Sequence, residues 1–247
     1  MNSELNQLIE QLNAPLKKER LEALKEIIKL EKKGIIEKPE TKTFVNNHIH
    51  TTYSFSPYSP TKALYMARKS GLVTAGIMDH DSVGGCDEFN EAGKIAEMST
   101  TCGFECRVSI KGTSLYGRRL NNPDQVSVAY VTLHGIPHQK ISECEEFLLP
   151  YREKRNERNR KMTANISEIV KPYGLEIDFD NDVLSLSQSQ DGGSVTERHL
   201  IFALVKKIIA KYGKGEPVVK LIKESFNIPV SSKIEGFLMD EKNPYYE

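Results

Sequence analysis

The chain is short of cysteine, has no excess of charge of either sign and holds no long apolar run. Only four of its 247 residues are cysteines: Cys86, Cys102, Cys106 and Cys144. Cys102 and Cys106 form the one close pair, no second pair completes a zinc-ribbon pattern, and a chain of this length can bury a core without covalent staples. That usage predicts reduced, structural thiols in a cytoplasmic protein rather than a disulfide framework. Lys plus Arg and Asp plus Glu each number 34. Such a balance removes any global electrostatic case for nucleic acid or a membrane as the main partner. The N-terminal MNSELNQLIEQLN is polar and amphipathic, without the apolar heart of a signal peptide, and no later run approaches the roughly 18 apolar residues of a membrane span. Internal repeats and low-complexity tracts are absent too, which excludes solenoids and compositional linkers.

What is present is patterned. Leu5, Ile9 and Leu12, then Leu21, Leu24, Ile27, Ile28 and Leu30, recur at three- and four-residue spacing on either side of Pro15. They predict two amphipathic helices in a helical extension over residues 1–40, closed by GIIEKPE. From residue 41 to 247 the pattern alternates. Strands are expected over Thr41–Val45, Val73–Met78, near Glu105–Ile110 (weaker) and over Val126–Leu133, with helices over Thr61–Ser70 and Cys86–Ala96 between the earlier ones. A charged helix over about Ser142–Lys171 and a helix capped at Thr196 follow. The order points to an α/β domain with parallel strands, in which functional groups collect where strands end. The ERNRK run reads either as a solvated helix face or as a phosphate contact.

Against this pattern the histidines are not scattered. In NNHIHTTYS, His48 and His50 flank one isoleucine, and alternation along a strand points both rings the same way, so that they could share one ion. Alone, such a pair is more often a surface or hydrogen-bonded feature than a metal site. Yet His80 follows VTAGIM inside D-H-D, and His134 follows VSVAYVTL, so four of six histidines stand at predicted strand exits. Imidazole and carboxylate suit zinc, manganese or iron, and Asp79, His80 and Glu105 extend the set.

NNHIHTTYSFSPYSP, then GLVTAGIMDHDSVGG, then GFECRVS, resembles the PHP (polymerase and histidinol phosphatase) family over about Val45 to Ala203. The resemblance implies a partial or distorted (β/α)7 barrel with two or three divalent ions at its C-terminal rim, hydrolysing phosphate esters. Carried over, it makes His48, His50, His80 and Glu105 metal ligands, with Asp79 beside them as a ligand or as the catalytic carboxylate that orients one. T-E-R-H at Thr196–His199 is similar to a later family segment and adds His199. His134 stands near another expected ligand position, for which His138 competes.

Two departures from the family pattern stand out. Ser54 is followed by Phe55 where many members carry aspartate, and no histidine follows His199 to supply a final D-x-H. The expectation is therefore a portion of a barrel lacking its C-terminal strands. The leading function is a metal-dependent phosphoesterase acting on a phosphomonoester or small nucleotide. The alternative is a degenerate module that keeps a metal or binds a partner with little catalysis. A nuclease role, which other PHP domains have, is disfavoured by the neutral charge and the lack of a basic, aromatic-interleaved groove.

Overall fold

A computed structural model of the chain describes residues 2–244 and 246–247. It divides into two compact units, one reaching to Lys154 and including Ser187–Ser194, the other comprising Arg155–Leu186 and the chain from Val195 onward. The first unit is built on a curled four-stranded sheet in the order β1 (Phe44–Ile49), β2 (Leu72–His80), β3 (Ser99–Ser109), β4 (Val128–His134). Helices α1 (Asn2–Gln11), α2 (Lys17–Lys32), α3 (Pro60–Lys69) and α4 (Cys86–Ala96) belong to it, as does the start of α5 (Ile141–Val170) as far as Lys154.

Local chemistry accounts for the elements. The Ser59 side chain accepts from the Lys62 N–H and Pro60 stands in the first turn, so α3 starts with a capped end. It stops before Gly71, whose φ of +84° only glycine adopts freely. Leu5, Leu8 and Ile9 of α1 pack against a core that Leu12, just past α1, and Leu24 and Ile27 of α2 share with Leu64 of α3, Phe89 of α4, and Ile77, Cys102 and Phe104 of the sheet. The N-terminal helices are thus a layer of the sheet-bearing unit.

β1, β2 and β3 are parallel, joined through α3 and α4. β4 is not. It runs antiparallel to β3, from Val128 opposite Ser109 to His134 opposite Gly103, which corrects the expectation of an all-parallel sheet. The reason is the connection: no helix stands between Ser109 and Val128 to carry a crossover, so the chain returns as a hairpin. Gly103 makes the close pairing possible, because a Cβ there would meet the Leu133 carbonyl oxygen and the Met78 side chain.

The register sorts residues onto two faces. Ile77 and Asp79 pair with Cys102 and Phe104 and lie on the helix-covered face. Met78 and His80 pair with Gly103 and Glu105, which in turn oppose His134 and Thr132, so these six share the other face.

In the second unit, α5 (Ile141–Val170) enters at Arg155, followed by α6 (Glu197–Tyr212), α7 (Glu216–Lys220) and α8 (Ser232–Met239). Two small apolar clusters, around Leu175, Leu204 and Val218 and around Phe179, Val183 and Leu200, hold it together. Among the described residues no helix is long and apolar enough to cross a membrane.

Candidate metal centre

His48 in β1, His50 just after it, His80 at the end of β2 and Glu105 within β3 come together at one place. His48 Nε2 lies 3.2 Å from His50 Nε2. Glu105 Oε2 is 3.6 Å from the first of these nitrogens and 3.7 Å from the second. These three residues form a group able to hold an ion. Ligands at 2.0–2.2 Å around a tetrahedral metal stand about 3.3–3.6 Å from one another. The donor set therefore fits a divalent cation in type and in spacing. His80 Nδ1 lies 3.1 Å from the same Oε2, and the His50 and His80 rings are 4.6 Å apart. Glu105 Oε2 thus lies within 3.7 Å of three imidazole nitrogens.

Hydrogen bonds set the tautomer of His50. Asp79, 1% exposed, accepts from the Thr51 N–H at 2.7 Å, the Thr51 hydroxyl at 2.6 Å and the Ser54 hydroxyl at 2.5 Å. Because Ser54 gives its proton to Asp79, its oxygen is left to accept from His50 Nδ1, 3.2 Å away. Nδ1 then carries the hydrogen, and Nε2 presents a lone pair to the cluster. Asp79 is on the helix-covered face and acts on His50 through Ser54. Burial raises the Asp79 carboxyl above its ordinary value, while the bonds from Ser54 and Thr51 oppose that shift. Thr51 and Ser54 come from the loop after β1, with Thr51 at the start of a single 3-10 turn.

The turn after His80 is held as firmly. Asp81 has a φ of +48°, its N–H donates to the Glu105 carbonyl at 2.8 Å, and the buried Arg152 guanidinium donates to its carbonyl at 3.2 Å. That backbone bond ties the residue after β2 to the middle of β3, which keeps His80 and Glu105 in step.

The other candidates differ in position. The exposed His134 has its ring 6.5 Å from that of His48, with Nε2 3.1 Å from the Thr132 hydroxyl. His138 is apart on the surface, with Nδ1 3.5 Å from Asp87. His199 belongs to the second unit. It is buried in the first turn of α6, where its Nδ1 accepts from the Thr196 N–H at 2.9 Å, leaving the hydrogen on Nε2. Burial pushes its pKa down to about 4. Ser54 and Thr51 are the contributors that histidine spacing does not reveal, although both lie within the quoted NNHIHTTYS stretch.

No protein-family model matches this sequence, and no curated protein does. Among solved structures, the chain is similar to an amidohydrolase from Chromobacterium violaceum, solved with bound sulfate and no metal, at 21% identity and a TM-score of 0.50. That match covers 66% of this chain and 50% of the other. A proposed metal-dependent phosphoesterase from Bifidobacterium adolescentis matches at 21% identity and a TM-score of 0.48, over 78% of this chain and 61% of the other. This chain thus spans half to three-fifths of the length of these structural neighbours. The likeness is one of fold.

Proposed function

We propose that this chain is a metal-dependent phosphoesterase of PHP type, hydrolysing a phosphomonoester or small nucleotide at the His48, His50, His80 and Glu105 cluster. Its sheet is read as a portion of a (β/α)7 barrel. The observation that carries the reading is the spacing of two Nε2 atoms and one carboxylate oxygen at 3.2, 3.6 and 3.7 Å. A divalent cation bound there, zinc, manganese or iron, polarises a phosphoryl oxygen and makes hydroxide available from water near neutral pH. His48 and His50 would hold it with Glu105, and the same carboxylate with His80 would serve a second position. Asp79 and Ser54 keep the His50 Nδ1 proton away from the cluster, so that Nε2 is always ready to donate its lone pair. His134, whose ring is 6.5 Å from that of His48, would be a further ligand on this reading.

The test is turnover of an aryl phosphate by the metal-loaded chain, with H80A as the background. Manganese- or zinc-dependent turnover that H80A abolishes is the expected result. About one equivalent of bound metal with no turnover above H80A would replace the enzyme with the metal-keeping binding module.

A further inference from the structure

One segment from late in the chain is built into the turns that carry the metal ligands. Ser187–Ser194 belongs to the first unit, although the residues on either side of it, Leu186 and Val195, belong to the second. Two hydrogen bonds anchor it. The Ser194 N–H donates to the Tyr53 carbonyl at 2.8 Å, and the Ser82 hydroxyl donates to the Gly192 carbonyl at 2.7 Å while accepting from the Gly84 N–H at 3.2 Å. Tyr53 immediately precedes Ser54, which orients His50, and Ser82 follows His80 by two residues. A third contact closes from the side. A Cβ at Gly192 would come 2.9 Å from a Glu145 carboxylate oxygen, and Glu145 accepts at 3.2 Å from Arg152, whose guanidinium also donates to the Asp81 carbonyl. The fit is close and dry: Ser82 is 1% exposed, Ser194 is fully buried, and a Cβ at Gly84 would fall 2.5 Å from the Asp191 carbonyl oxygen and 2.8 Å from the Tyr53 ring.

These anchors bear on the ligands. His50 and His80 leave from different strands, and a metal centre binds tightly only if its ligands are held near their bound positions before the ion arrives. A segment bonded to the turns that follow both histidines supplies that restraint. We propose that Ser187–Ser194 is a strap that preorganises the metal centre, with Ser82 as its positioning residue, so that docking of the strap and binding of the metal are linked. The inference rests on the metal-centre part of the phosphoesterase reading. It extends the site to a residue 110 positions along the chain from Ser82, which no histidine or carboxylate motif contains. Linkage makes it quantitative: the factor by which a docked strap strengthens zinc binding is the factor by which zinc favours the docked strap.

Zinc is the probe, and each side of the linkage has its own measurement. In the wild type, NMR hydrogen exchange at the Ser194 amide should slow on the order of 10-fold when zinc saturates the chain, the low end of the range for groups that support a metal ligand. The Met98 amide, which bonds Gly93 just before the start of β3, should change much less. By chelator competition, Ser82→Ala and Gly84→Ala should each bind zinc on the order of 10-fold more weakly, the first by losing the bond to Gly192 and the second by wedging a methyl group against Asp191. Circular dichroism shows that each variant is folded, and the wild-type exchange experiment decides the matter if one is not. Zinc affinity unchanged in either folded variant would overturn the inference, as would Ser194 exchange indifferent to zinc or slowing of equal size at Met98. Turnover separates the two ideas. Zinc-linked protection of Ser194 without turnover of an aryl phosphate would sink the phosphoesterase reading alone, whereas His80-dependent turnover with Ser194 indifferent to zinc would sink only the strap. A wild type that binds no zinc would end both.

Discussion

Ser54→Ala should weaken metal binding without removing a ligand. The Ser54 hydroxyl is 3.2 Å from His50 Nδ1 and 2.5 Å from Asp79, and it is the link that settles which nitrogen of His50 carries the proton. Without it the imidazole is free to rotate and to exchange tautomers, and part of its population presents N–H to the ion. Loss of such a support typically costs 10- to 100-fold in metal affinity, or about 1.4–2.7 kcal/mol. The apo protein should suffer less. Asp79 keeps both bonds from Thr51, so only one hydrogen bond is lost and no charge is orphaned, for about 0.5–1.5 kcal/mol. Chelator competition with zinc gives the first quantity, and urea unfolding of chelator-treated protein gives the second. A zinc affinity for Ser54→Ala within twofold of wild type would refute the relay from Asp79 to His50.

Two further outcomes test the frame around the site. His199 binds a proton near pH 6.5 when unfolded but only at about 4 when folded, so the stability it confers is whole above pH 6.5 and declines as pH falls through that window. The decline amounts to about 3 kcal/mol, and His199→Gln should flatten that part of the curve in metal-free urea titrations; parallel curves would contradict it. Arg20 makes a two-pronged, buried contact with Glu88 at 2.8 and 2.5 Å and caps the carbonyls of Ala14 and Pro15, tying α2 to α4. Arg20→Met leaves the Glu88 carboxylate buried with only Thr61 beside it and should cost about 3–5 kcal/mol, partly restored by adding Glu88→Leu. A single-variant loss below about 1 kcal/mol would show that the ion pair does not matter to the fold.

How much could be read in advance follows from where the information sits. The helix read over Cys86–Ala96 forms over those residues, and VTAGIM lies inside β2, because a period of 3.6 and a β-branched run are both local signals. β3 begins at Ser99, well before the strand read near Glu105–Ile110. STTCGF has no alternation, and a central strand owes its stability to ladders on both sides. The direction of β4 was legible in one respect: no helical pattern stands between the last two strands, and a strand that follows a strand without a crossover returns antiparallel. At the site, H-x-H spacing puts two rings on one face, whereas Glu105 entered only as a carboxylate of the candidate set and became a ligand through the resemblance. The pairing of Glu105 with Thr132 depends on the hairpin register, which no single strand encodes.

The central claim is that β1, β2 and β3 end in a metal centre. Its most direct test is an anomalous difference map from crystals grown with manganese and measured on either side of the manganese edge. The account predicts a peak about 2.0–2.2 Å from Nε2 of His48, Nε2 of His50 and Oε2 of Glu105, and its disappearance in His50→Ala. Full manganese content by elemental analysis with the peak elsewhere in the chain, or no bound manganese, zinc or iron under any loading condition, would contradict it.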